Sequence, residues 1–298
     1  MSIRHPIAAG RFYPADAEQL KKEIRMWLMS GGVPENLVPG EIPREANARL
    51  LGLMLPHAGY LYCGRVIGGT LTSAWDGSTA GANLPERLFI LCPNHTGQGR
   101  ALGVWTGGHW LTPLGPVVVD EKLGQALVQA AGGFFEDELC HVSEHSIEVL
   151  LPFLQSLPLP RESGRSIVPV CVGTRSPDAL RAAGLALARV IQAFEAEGHS
   201  VGIVVSSDLN HYQSQELTLH KDALALAQVL ACDPDGLLTV VERESITMCG
   251  AGAMALALFT AHAMGSPWAE LALYDTSAAA SGDTSRVVGY AGLRFGLA

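Results

Sequence analysis

The chain has 298 residues, 48% of them hydrophobic, and a formal net charge of -9. It carries no dense Lys/Arg block, which excludes the electrostatic footprint of a nucleic-acid binder and leaves small molecules or proteins as the better partners. No run approaches the roughly 18 apolar residues of a membrane span, and the first residues, MSIRHPIAAGRFYP, lack the apolar stretch of a signal peptide, so a cytoplasmic protein without membrane contact is expected.

Asp16 and Gln19 resemble a capping box, and Leu20, Ile24, Trp27 and Leu28 follow at helical spacing until Gly31-Gly32. The prolines at 34, 39 and 43 make 33–48 an irregular connection. Leu51 to Leu55 is an apolar run of strand length that breaks at Pro56. A helix is expected over 65–75 and a loop tip over 76–85, before the strand-like run Arg87 to Cys92. Two short strand-like pieces, 101–106 and 116–119, suggest an antiparallel excursion that covers the site. Asp120 caps a helix to about residue 131, and Ser143 is the expected N-cap of the next, whose stripe of Ile147, Leu150, Leu151 and Leu154 is interrupted by Pro152.

Ser166 to Val172 reads as a strand, and Ser176-Pro177 opens a long Ala/Leu helix to about Ala196. Val201 to Ser206 is a further strand, followed by helices over 216–230, from Asp233-Pro234, and over 250–263. Strands over 269–274 and 286–295 close the chain. Strands alternating with helices from Arg49 onward indicate a single α/β domain, three-layer α/β/α, around a central, mostly parallel sheet with antiparallel additions at its edges.

Six cysteines without CxxC spacing argue against a disulfide framework and a structural zinc knuckle. Cys92 and Cys171 read as small buried hydrophobes. The chemistry gathers elsewhere. In an open α/β sheet, ligands collect outside the carboxyl ends of the strands. Three strand-like runs each deliver an imidazole just beyond that end: His57, His95 and His211. His57 and His95 are candidate metal ligands, and Cys249, immediately before a Gly/Ala helix, is a third, because a helix N-terminus favours the thiolate. His145 and Glu148 stand three apart on the expected helix and either face one cavity or form a solvated first turn. His211 suits proton transfer at neutral pH, and Asp208 either orients an imidazole or caps the following turn.

Taken in order, these segments resemble the Memo family, including the members called AmmeMemoRadiSam system protein B. The resemblance runs through Arg4, Ala9-Gly10-Arg11-Phe12-Tyr13-Pro14, Pro56-His57-Ala58-Gly59-Tyr60, Pro93-Asn94-His95, Glu144-His145-Ser146-Ile147-Glu148, Ser206-Ser207-Asp208 with His211, and Cys249-Gly250. It implies a fold similar to the class III extradiol dioxygenases (LigB-like), whose non-haem iron is held by two histidines and a carboxylate. Carried over, it makes His57, His95 and Cys249 the metal triad, with His145, Asp208 and His211 lining the pocket as catalytic groups and Gly59, Tyr60 and Glu148 toward substrate. A cysteine stands where the dioxygenases use a glutamate, and thiolate makes copper or zinc more competitive with Fe(II). The resemblance therefore implies an iron- or copper-dependent oxidoreductase of dioxygenase type, and a setting beside AMMECR-type and radical-SAM proteins. A zinc hydrolase and a non-catalytic module that binds a peptide or small ligand are the alternatives.

Overall fold

The computed structural model describes residues 2–29, 48–74, 84–157 and 164–298. The connection expected over 33–48 and the loop over 76–85 lie, but for their last residues, outside the described residues. In chain order the elements are β1 (Ile3–Arg4), α1 (Ala17–Met29), β2 (Arg49–Leu55), α2 (Tyr60–Ser73), β3 (Arg87–Pro93), β4 (Leu102–Val104), β5 (His109–Thr112), β6 (Gly115–Val119), α3 (Glu121–Gln129), β7 (Phe135–Glu136) and α4 (Leu139–Val142). A 3-10 turn over Glu148–Leu150 leads into α5 (Leu151–Ser156). Then come β8 (Ser166–Val172), α6 (Pro177–Ala196), β9 (Val201–Ser206), β10 (His211–Gln213), α7 (Gln215–Leu230), α8 (Pro234–Arg243), α9 (Ala251–Met264), β11 (Pro267–Thr276), α10 (Ala278–Ser281) and β12 (Val287–Leu297).

The strands form one mixed sheet with the order β1-β5-β6-β8-β3-β9-β2-β12-β10. Its middle, β6-β8-β3-β9-β2, is parallel throughout, and β12 pairs antiparallel with both β2 and β11. The central strands are buried on both faces, so they read as continuous apolar runs, yet their side chains still alternate. Phe89 and Leu91 of β3 pack with Val168, Val170 and Val172 of β8 into one core, under α6, α8 and α9. Leu88, Ile90 and Cys92 point the other way, into a second core with Leu20 and Ile24 of α1 and Ile67 of α2. Helices on both faces thus cover a two-sided sheet.

Local sequence explains the helix boundaries. The amide of Gln19 donates to Asp16 Oδ1 at 2.8 Å, which is half of the capping box expected ahead of α1. Asp120, Ser176 and Asp233 cap α3, α6 and α8 with their side chains. Almost every residue of α9 is buried; the helix is apolar all round and packs on α6 and α8.

Three expectations need correction. Ser143 is no N-cap: it follows α4, and 144–147 form a turn ahead of the 3-10 segment, so His145 and Glu148 do not share a helix. Pro152 lies in the first turn of α5, where its missing N–H costs nothing, instead of interrupting a longer helix. The excursion over 101–119 also differs from expectation. Only β4 runs antiparallel along the carboxyl half of β8, while β5 and β6 form a hairpin that extends the sheet edge.

Candidate metal centre

Three adjacent parallel strands end at the site. The order β3-β9-β2 sets the carboxyl ends of these strands side by side, so the residues that follow them, His95, Ser207-Asp208 and Pro56-His57, emerge on one edge of the sheet. Such an edge is where open α/β sheets bind ligands. A fourth segment, the turn after α4, brings in Glu144, His145 and Ser146.

His57, His95 and His145 each offer a ring nitrogen, and these three atoms lie within 4.8 Å of one another. The ring centroids are 5.2 Å apart for His57 and His95, 5.5 Å for His57 and His145, and 5.2 Å for His95 and His145. Hydrogen bonding decides which nitrogens are free. The Ser206 hydroxyl donates to the Ser146 carbonyl at 2.7 Å, so at 2.7 Å from His57 Nδ1 it accepts the ring proton. His57 Nε2 then carries a lone pair. His95 Nδ1 lies 2.9 Å from Glu144 Oε1 and donates to it, again leaving Nε2. Fixing Nδ1–H by a hydroxyl or carboxylate is the usual preparation of a metal-ligating imidazole. Neutral imidazole is the ligating form, and the site favours it at two of the three rings: burial, then the neighbouring imidazoles, holds His57 well below the ordinary value, and burial also lowers His145.

Glu144 organises this cluster. Burial works against its ionisation, yet the hydrogen bonds from His95 and Ser146 hold its carboxyl down to about 2. It accepts from the His95 amide at 2.7 Å and from the amide and hydroxyl of Ser146 at 3.0 and 2.8 Å. Burial opposes charge on His95, but the Glu144 hydrogen bond and charge outweigh it and raise that pKa.

Cys249 reaches the same place from the start of α9. Its sulfur lies 3.4 Å from His57 Nε2 and accepts from the Asp208 amide at 3.2 Å. Gly250 makes this approach feasible, since a Cβ there would overlap Ser207 and the Ser206 carbonyl. Burial, then the Asp208 charge, pushes the Cys249 thiol up, against the lowering effect expected of a helix N-terminus. Asp208 caps no following turn. Its Oδ1 accepts from the His57 amide at 2.8 Å, and Oδ2 lies 3.9 Å from His211 Nε2. His211 Nδ1 donates to the Thr247 carbonyl at 2.9 Å, which leaves its Nε2 free. Tyr212, next to it, has φ +59° and is exposed.

The remaining expected residues fall differently. Gly59 is half-buried at the start of α2, beside Phe12, whose ring centroid is 4.6 Å from that of His145. Tyr60 is buried, and its hydroxyl donates to the Val149 carbonyl at 2.7 Å. Glu148 is fully buried and accepts from Arg4 Nη1 at 2.7 Å, from the Ile7 and Ala8 amides, and from the Tyr13 hydroxyl at 2.8 Å. Together they fasten the N-terminal segment and α2 to the turn behind the site. Glu144 and Ser206 are functional residues that the sequence pattern alone does not mark. A carboxylate directly before a candidate histidine was the available signal for Glu144. For Ser206, inside an apolar strand, there was none.

A family model described as Memo-like protein matches residues 4–294. A MEMO1 family protein of Methanopyrus kandleri is 39% identical over 98% of both chains, and one of Ignicoccus hospitalis is 39% identical over 100% of both. A third, of Thermotoga maritima, is 38% identical over 96% of this chain and 97% of its own.

Proposed function

The chain belongs to the Memo family, and from that premise and the donor set of the pocket we propose that it is a non-haem, metal-dependent oxidoreductase of dioxygenase type. The observation that carries this reading is the convergence of His57, His95 and His145 within 4.8 Å, two of them with Nδ1 engaged and Nε2 left as the ligating atom. Those residues would hold the ion, with the Cys249 sulfur beside His57 as a further donor. The imidazoles suit iron, copper and zinc, and Fe(II) is the metal we assign. When bound, such an ion supplies Lewis acidity and one-electron chemistry toward dioxygen and a chelating substrate.

The protein residues do the rest. Glu144 and Ser206 hold two imidazoles in register, and Asp208 fixes the His57 backbone. His211, with Nδ1–H committed to Thr247, presents Nε2 as the acceptor for a substrate proton, and Asp208 stands ready to stabilise the imidazolium. A small-molecule substrate, a cytoplasmic setting and a pathway shared with AMMECR-type and radical-SAM proteins belong to the same proposal.

Anaerobic reconstitution with Fe(II) tests it, followed by oxygen uptake with candidate catechols. The expected result is one ion per chain, lost in His57→Ala, and substrate-dependent uptake that His211→Ala suppresses. Absence of uptake and of any substrate-induced spectral change would overturn it. A second reading has one specific support: three imidazoles are also a catalytic zinc set, able to bring a bound water to a pKa of about 7. Zinc co-purifying in place of iron, with hydrolysis of an activated ester, would favour that reading.

A further inference from the structure

Away from the imidazole pocket, three buried thiols meet at one place in the sheet. Cys92 of β3 and Cys171 of β8 are register partners on adjacent strands. Gly103 of β4 is the register partner of Cys171 on its other side, and a Cβ at Gly103 would overlap the Cys140 sulfur. Cross-strand partners have Cβ positions about 4.5–5.5 Å apart. The Cys140 sulfur, which takes the place a Gly103 side chain would fill, therefore stands across from the Cys171 side chain, near enough for a small shift of α4 to bring the two sulfurs together. Gly103 is what lets the thiol of α4 approach the strand.

We propose that Cys140 and Cys171 are a redox-active dithiol, which hydrogen peroxide converts to a disulfide. The Cys140 thiolate attacks one peroxide oxygen; an S–O bond forms, the O–O bond breaks, and hydroxide leaves. The Cys171 sulfur then displaces the sulfenic oxygen of Cys140, giving the S–S bond, and the Cys171 proton leaves with that oxygen as water. Two thiols lose two electrons and the peroxide is reduced to two waters. Cys140 is the attacking partner because it lies on the short turn α4, whose neighbouring residues reach the surface, whereas Cys171 lies within the central sheet. Access comes through α4, a single four-residue turn whose Leu139 and Val142 are exposed, so local opening of that turn uncovers Cys140. The bond, at Cys140, would tether α4 to β8 four residues before Glu144. It does not depend on the metal reading.

The test is peroxide treatment of the full chain in the presence of a chelator, followed by thiol titration in denaturant and peptide mapping without reductant. The titre should fall from six to four, with a Cys140–Cys171 linked peptide that dithiothreitol abolishes. Cys171→Ser should accumulate a dimedone-reactive sulfenic acid at Cys140, and Cys140→Ser should form neither product. Six thiols surviving treatment, a Cys92–Cys171 link, or linkage only between chains would overturn the proposal, and the wild-type map alone suffices to show any of these.

Discussion

Glu148→Gln separates a structural clamp from a pocket residue. Glu148 Oε1 accepts from the Ala8 amide and the Tyr13 hydroxyl, Oε2 accepts from Arg4 Nη1 at 2.7 Å, and the Ile7 amide is shared between the two oxygens. A glutamine has one acceptor oxygen. Turned toward Oε1 it keeps the three neutral donors but sets an NH2 group against the Arg4 guanidinium; turned the other way it faces three donors with a donor. Either orientation leaves Arg4, 3% exposed, without its counter-charge. Removing one partner of a buried ion pair costs about 3–5 kcal/mol, a large share of the 5–15 kcal/mol of a typical domain. The other contacts of Arg4 survive, namely the His141 and Glu144 carbonyls and the Trp110 ring 4.2 Å from its guanidinium carbon, so the lower end, about 3 kcal/mol, is expected. Urea denaturation followed by circular dichroism measures it. Metal stoichiometry measured below the unfolding transition should be that of wild type. A loss under 1 kcal/mol, or a stable variant that no longer binds metal, would return Glu148 to the pocket and refute the argument.

Glu144→Gln removes the charge that holds His95 Nδ1–H and should weaken Fe(II) or Zn(II) affinity about 10–100-fold, measured by chelator competition, with the fold intact by circular dichroism. Asp222, buried and bonded by the Tyr274 hydroxyl and the Asn210 amide, has its carboxyl pushed up from 3.8 to about 6 by burial. The folded state binds this proton more tightly than the unfolded state, so its stabilisation is complete below about pH 4 and is lost as pH rises through about 6. The difference is about 3 kcal/mol, and Asp222→Asn should flatten that part of the stability profile between pH 4 and 7. Leu187→Ala opens a cavity in the core under α6 and should cost about 2–5 kcal/mol in the same urea assay, without changing metal stoichiometry.

The linear sequence determined the strand and helix alternation, because an apolar run of strand length between turn residues has few other uses and a capping side chain marks a helix start locally. Asp120, Ser176 and Asp233 do that work from within one turn of the helices they open. It also determined that His57, His95 and Asp208 share an edge, since residues just beyond parallel strands have nowhere else to go. What only the tertiary structure decided was direction. Glu148 and Glu144 sit four residues apart in one motif, yet one carboxylate turns inward to Arg4 and the other to His95; the choice rests on a turn whose path is set by packing against the N-terminal segment, 140 residues away in the chain. His145 joins the imidazoles for the same reason, and burial beside Asp208 pushes the Cys249 thiol up despite the helix terminus that follows it. Charge and burial at a site are sums over neighbours brought in from distant parts of the chain, and no local pattern encodes that sum.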